Sequence, residues 1–91
     1  MREINKEIQA IDGIVARNIK IRRKMLGLSQ TEIGDHLEVS VQQVQKYEYA
    51  KNRISSGKLY KIAQLLKAPI DYFFKENPKW LDKNDKGEIF K

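Results

Sequence analysis

Apolar residues recur along the middle of the chain at helical spacing, with few alternating runs of the strand type. From Gly13 to Leu26, Val15, Ile19, Met25 and Leu26 predict a first helix, with Asp12 as its N-cap. Gly27 stands where a helix-ending glycine is wanted, and Leu28 can fold back onto the helix. Ser29-Gln30-Thr31-Glu32 has the form of a capping box and opens a second helix with Ile33 and Leu37 on one face. A second box, Ser40-Val41-Gln42-Gln43, follows almost at once. Its helix turns Val44 and Tyr47 inward and leaves Gln42, Gln45 and Lys46 outside.

Ser55 or Ser56 caps a fourth helix carrying the stripe Leu59, Ile62, Ala63 and Leu66. Pro69 suits the first position of a short fifth helix, Ile70 to Phe74. Ile4, Ile8 and Ile11 suggest an extra amphipathic turn or two before the domain. The run from Lys75 onward, with Pro78, Gly87 and alternating charges, reads as a loosely ordered tail. The expected division is an N-terminal arm (1–12), a helical domain (13–74) and a C-terminal tail (75–91).

Charge sharpens this picture. The chain has 91 residues, with 18 Lys and Arg against 12 Asp and Glu, a net +6. Residues 13–67 hold eleven basic and four acidic side chains, while the two ends together are nearly balanced. An ordered basic segment points to a polyanion as partner, although a net charge of this size is also a common solubility device. The absence of cysteine and the presence of one histidine disfavour thiolate metal sites, disulfides and a catalytic triad. No apolar run reaches the length of a membrane span and the N-terminus lacks a signal-peptide core, so a cytoplasmic protein with no membrane partner is expected. No enzyme activity, cofactor or metal is expected.

Two capped helices joined by a very short turn, the second polar on its outer face, describe a helix-turn-helix. In that geometry the first helix braces the second so that its N-terminal residues enter the major groove. Ile33, Leu37, Val39 and Val44 would be the braces, with Gly34 small where two backbones approach.

The stretch from Gly27 to Phe74 resembles the phage-repressor-like (Cro/XRE-type) helix-turn-helix family. The resemblance is carried by LSQ at Leu28 to Gln30, the small Gly34, the Val39-Ser40 turn, the run Val44 to Glu48, and Ile62-Ala63 with Leu66. It covers roughly residues 14–74 and implies an all-α, five-helix, lambda-repressor-like DNA-binding domain. Such domains usually act as dimers on near-palindromic double-stranded DNA.

By the resemblance, Gln30 meets a DNA phosphate, and Ser40, Val41, Gln42, Gln45 and Lys46 line the recognition surface. Lys51, Asn52 and Arg53 meet the backbone of the facing strand. The chemistry agrees, because glutamine can pair with adenine N6/N7, lysine can donate to guanine O6/N7, and valine can cover a thymine methyl. The family also often joins the positions of Arg23 and Glu48 by a salt bridge. Glu48 is the only acid between residues 39 and 70, so a partly shielded pair that orients the recognition helix is expected.

Two positions depart from the family pattern. Glu38 and Ala50 stand where glycine is usual, and a left-handed conformation there costs each about 1 kcal/mol. His36 is placed on the solvent side of the second helix. Tyr60, Tyr72, Phe73 and Phe74 are assigned to core or dimer contact, with Phe73, Phe74 and Trp80 expected to join two copies. Trp80 and Leu81 are alternatively a docking segment for a protein partner, or lie against the domain's own surface. The expected function is a transcriptional regulator, most simply a repressor, with no room for a separate effector-sensing domain. The alternative is a protein-interaction module or antitoxin using the same fold.

Overall fold

The structure is a computed structural model and describes residues 5–76. It contains four α-helices, α1 (Lys6–Met25), α2 (Gln30–Leu37), α3 (Val41–Glu48) and α4 (Ser56–Leu66), and a 3₁₀ turn, Ile70–Phe74. No strand occurs among the described residues. The expected fifth helix is therefore a single 3₁₀ turn, with Pro69 preceding it rather than forming its first residue.

The first helix starts earlier than the apolar spacing suggests. Asn5 is its N-cap, accepting from the backbone N–H groups of Glu7 at 2.9 Å and Ile8 at 3.1 Å. Asp12 is thus inside α1, and the arm expected over residues 1–12 is helical from Lys6 on. Gly13 does not break the helix because a helix-interior glycine costs only about 1 kcal/mol. Asp12 instead accepts from Arg53 Nε at 2.9 Å.

All four helices end in one way. The residue after each last turn is left-handed: Gly27 (φ 73°), Glu38 (61°), Ala50 (58°) and Lys67 (56°). Behind each of them the chain makes a pair of closing hydrogen bonds, for example Leu28 N–H to the Arg23 carbonyl and Gly27 N–H to the Lys24 carbonyl, both 3.0 Å. This double closure satisfies carbonyls that the helix leaves without partners. Glu38 and Ala50 adopt the glycine-like conformation despite their side chains, and Lys67 does so without any signal in the sequence.

The core is one cluster. Val15 and Ile19 of α1, Ile33 and Leu37 of α2, Val44 and Tyr47 of α3, and Leu59, Ile62, Ala63 and Leu66 of α4 are all buried. Tyr72 and Phe73 complete it, their rings meeting edge to face at 5.0 Å. Phe73 is wholly inaccessible, so it is spent on the core and has no surface for a dimer contact. Phe74 remains half exposed, and Trp80 and Leu81 lie outside the described residues.

Two buried polar side chains on α1 hold the C-terminal part. Asn18 Nδ2 donates to the carbonyls of Phe73 (3.0 Å) and Lys75 (2.7 Å), with that of Tyr72 at 3.4 Å. Arg17 donates to the carbonyl of Glu76. Arg22 donates from Nε to Leu66 O at 2.9 Å and from Nη2 to Lys67 O at 3.1 Å, placing a cation at the C-terminal end of α4. Burial lowers the Arg22 pKa against the opposing pull of Tyr72. It raises that of the Tyr72 phenol against Arg22 and Arg17. Replacing Asn18 by Leu keeps the volume but takes away the donor these carbonyls share, that of Phe73 above all, so urea unfolding should show a loss of roughly 2 kcal/mol. A loss below about 0.5 kcal/mol would show that the asparagine is not their donor.

Candidate nucleic-acid interface

The second motif helix, α3, is polar outside for the reason its inner face is apolar: the i, i+3 pair Val44 and Tyr47 is buried, which turns Gln42, Gln45 and Lys46 to the surface. The turn that positions α3 is short and tightly closed. Ser29 Oγ accepts from Glu32 N–H at 3.0 Å while Glu32 Oε1 accepts from Ser29 N–H at 2.7 Å, completing the predicted capping box at the start of α2. At the other end of α2, Val39 N–H reaches the Gly34 carbonyl at 2.9 Å. A Cβ on Gly34 would lie 2.7 Å from Val39 O, so the approach requires glycine or a local shift.

The second box forms only in half. Ser40 Oγ accepts from Gln43 N–H at 3.1 Å, but the Gln43 side chain donates to Asn52 Oδ1 at 3.1 Å instead of returning to Ser40. That bond ties α3 to the loop after it.

Arg23 and Glu48 meet at the base of α3. Arg23 Nε donates to Glu48 Oε2 at 2.7 Å and Nη2 to Oε1 at 3.1 Å, and Arg23 Nη1 also holds the Leu28 carbonyl at 2.9 Å. The Glu48 side chain is 1% exposed and that of Arg23 10%, so the pair is buried rather than partly shielded. Two further amides extend it: Gln30 Nε2 donates to Glu48 Oε1 at 3.1 Å, and Gln45 Nε2 donates to Gln30 Oε1 at 3.3 Å.

Of the residues proposed from the sequence, Ser40, Gln42, Gln45, Lys46, Lys51, Asn52 and Arg53 are exposed, and Val41 and Gln30 are half-buried. Arg53 is paired with Asp12 and Asn52 with Gln43 in the free protein. Arg22 and Arg23, two of the eleven basic residues of the segment 13–67, are buried and bind carbonyls and Glu48. Lys20 lies over the ring of exposed Tyr49, 5.1 Å from its centroid, a contact without a signature in the sequence. His36 is half-buried, not on the solvent side, and its enclosed Nε2 has no hydrogen-bond partner among the described residues.

A sequence profile described as "Helix-turn-helix" matches residues 19–73. The chain belongs to the Cro/C1-type helix-turn-helix family. This helix-turn-helix protein is 41% identical over 78 residues to an HTH-type transcriptional regulator of Sinorhizobium medicae, covering 86% of this chain and 56% of the relative. It is 44% identical over 71 residues to a transcriptional regulator in the ATPase CF(0) region of Rhodospirillum rubrum, covering 78% and 66%. With an HTH-type regulator of Rickettsia conorii it shares 46% over 70 residues, covering 77% and 56%. The chain spans about half the length of the curated relatives it matches. No solved structure matches it. Within the matched segment, α2 and α3 are the two helices of the helix-turn-helix. No helix among the described residues is long and apolar enough to cross a membrane.

Proposed function

We propose that this helix-turn-helix domain regulates transcription by binding operator DNA, most simply as a repressor, with a dimer on a near-palindromic site. The observation that carries the reading is the outer face of α3, where exposed Gln42, Gln45 and Lys46 stand on a helix fixed by a closed turn and a buried ion pair. Ser40, Val41, Gln42, Gln45 and Lys46 are assigned to the base-reading side. Lys51, Asn52, Arg53 and Gln30, the first residue of α2, are assigned to phosphate. Arg53 exchanges a salt bridge that is exposed, and therefore weak, for a phosphate.

Dimerisation is supported by an apolar groove of about 510 Å³ between α4 and the 3₁₀ turn, flanked by exposed Tyr60 and Ile70. Phe74, half exposed, does not line this groove but a separate cleft with Asp12, Asn52 and Arg53. A two-fold dimer sets two recognition helices about 34 Å apart, one turn of DNA. Selection of bound sites from random duplex DNA tests the proposal. The expected product is a motif of two related half-sites. Recovery of unrelated sequences, or of no sequence above background, would set the reading aside.

A further inference from the structure

We propose that Asp12 is a built-in stand-in for a DNA phosphate: it occupies Arg53 in the free protein and so lowers the affinity of the domain for every duplex by about the same factor. The proposal rests on the DNA-binding reading above and adds a contact that sets its strength.

Asp12 sits inside α1, well past the N-cap at Asn5, and its Oδ2 accepts from Arg53 Nε at 2.9 Å. The side chain of Asp12 is 33% exposed and that of Arg53 69%. The carboxylate is therefore the fixed member of the pair and the guanidinium the movable one. Among the described residues no other acid pairs with a cation assigned to phosphate. Asp12 also lines one cleft with Asn52 and Arg53, two of the residues in the loop after α3. An anion thus stands beside the segment that a DNA backbone would meet.

Phosphate and carboxylate make the same kind of charge-assisted bond to a guanidinium. Double-stranded DNA carries one charge per ~1.7 Å of its axis, a stronger attractor than a single carboxylate, so Arg53 transfers to it on binding. The transfer leaves Asp12 unpaired next to the same polyanion. The broken pair is exposed, and exposed pairs are worth at most about fivefold in an equilibrium constant. The freed carboxylate takes up a cation from solution, which offsets one of the counterions released from the DNA. Both effects act on the backbone contact, and neither touches base choice.

Titrations of wild type, Asp12→Asn, Arg53→Ala and the double variant test the proposal, on operator and scrambled duplex at several salt concentrations. Asp12→Asn should tighten both duplexes by about fivefold, steepen the salt slope by about one unit and leave the selected motif unchanged. In the Arg53→Ala background the gain should be much smaller. Glu7→Gln, which removes an exposed acid from the first turn of the same helix, should change little. Weaker binding by Asp12→Asn would show that the carboxylate orients Arg53 for phosphate, and would overturn the proposal. So would unchanged affinity, an equal gain from Glu7→Gln, or an equal gain in the Arg53→Ala background. In the free protein the Arg53 Nε–H resonance should move on Asp12→Asn; an unmoved resonance would overturn the pair itself, whatever the DNA result. Failure of the wild type to bind either duplex would overturn the DNA-binding reading and the proposal with it, and the resonance would then report on the pair alone.

Discussion

Replacing Arg23 by Met should remove about half of the domain's stability. The Glu48 carboxylate is almost wholly buried, and Arg23 supplies two of the hydrogen bonds to it, with Gln30 supplying one. Removing one partner of a buried pair costs about 3–5 kcal/mol, because the remaining charge has neither water nor a counter-ion. Small domains are stable by only ~5–10 kcal/mol, so the variant is expected to unfold at much lower urea than the parent. A partly shielded pair would confine most of this cost to the DNA complex; burial brings it into folding itself. The double variant Arg23→Met with Glu48→Leu removes the stranded charge and should recover much of the loss. Equilibrium unfolding of the three proteins checks this. A loss below about 1 kcal/mol for Arg23→Met would mean that the pair is solvated and does not anchor α3.

The second large effect is expected at Gly34. A Cβ there meets the Val39 carbonyl at 2.7 Å, a backbone atom that cannot rotate away. Gly34→Val adds branches toward Val44 and Ser40, both already within 4 Å of the position. Overpacking of this kind should cost about 3 kcal/mol. Gly34→Ala should cost less, because the helix preference of alanine over glycine, about 1 kcal/mol, offsets part of the shift it demands. The turn between α2 and α3 must open to accept valine, so the cost should be paired with a change in the angle of the recognition helix. Urea midpoints ranked Gly34, Ala, Val are the expected result. A valine variant as stable as the parent would show that the turn yields freely and does not set the position of α3.

What could be read from the sequence depended on how local the cause was. The inward faces of α2, α3 and α4 were legible because apolar residues such as Ile33, Val44 and Leu59 repeat at helical spacing, and each is buried. The start of α1 was not, since Asn5 and Asp12 are both good caps and Gly13 suggested a boundary that the helix crosses. Among the aromatics, spacing could not show that Phe73 turns inward and Phe74 outward, because a 3₁₀ turn is too short for a face to repeat. Asn18 and Arg22 gave no warning at all. Their partners are backbone carbonyls 44 or more residues away, and a carbonyl has no sequence signature. In the site, the outward set on α3 followed from its period. The link from Gln45 through Gln30 to Glu48 joins three helix positions that only the packing of α2 on α3 brings together.

In the proposed complex α3 reads bases while the loop after it holds phosphate. Titration of Gln42→Ala and Lys51→Ala against selected operator and scrambled duplex, at several salt concentrations, separates the two roles. Lys51→Ala should weaken both duplexes alike and reduce the salt slope by about one unit. Gln42→Ala should cost ~1–3 kcal/mol on the operator, relax choice at one base pair per half-site, and leave scrambled DNA and the salt slope nearly unchanged. Loss of both affinities by the same factor in Gln42→Ala would make that glutamine a backbone contact and contradict the assignment of the reading face.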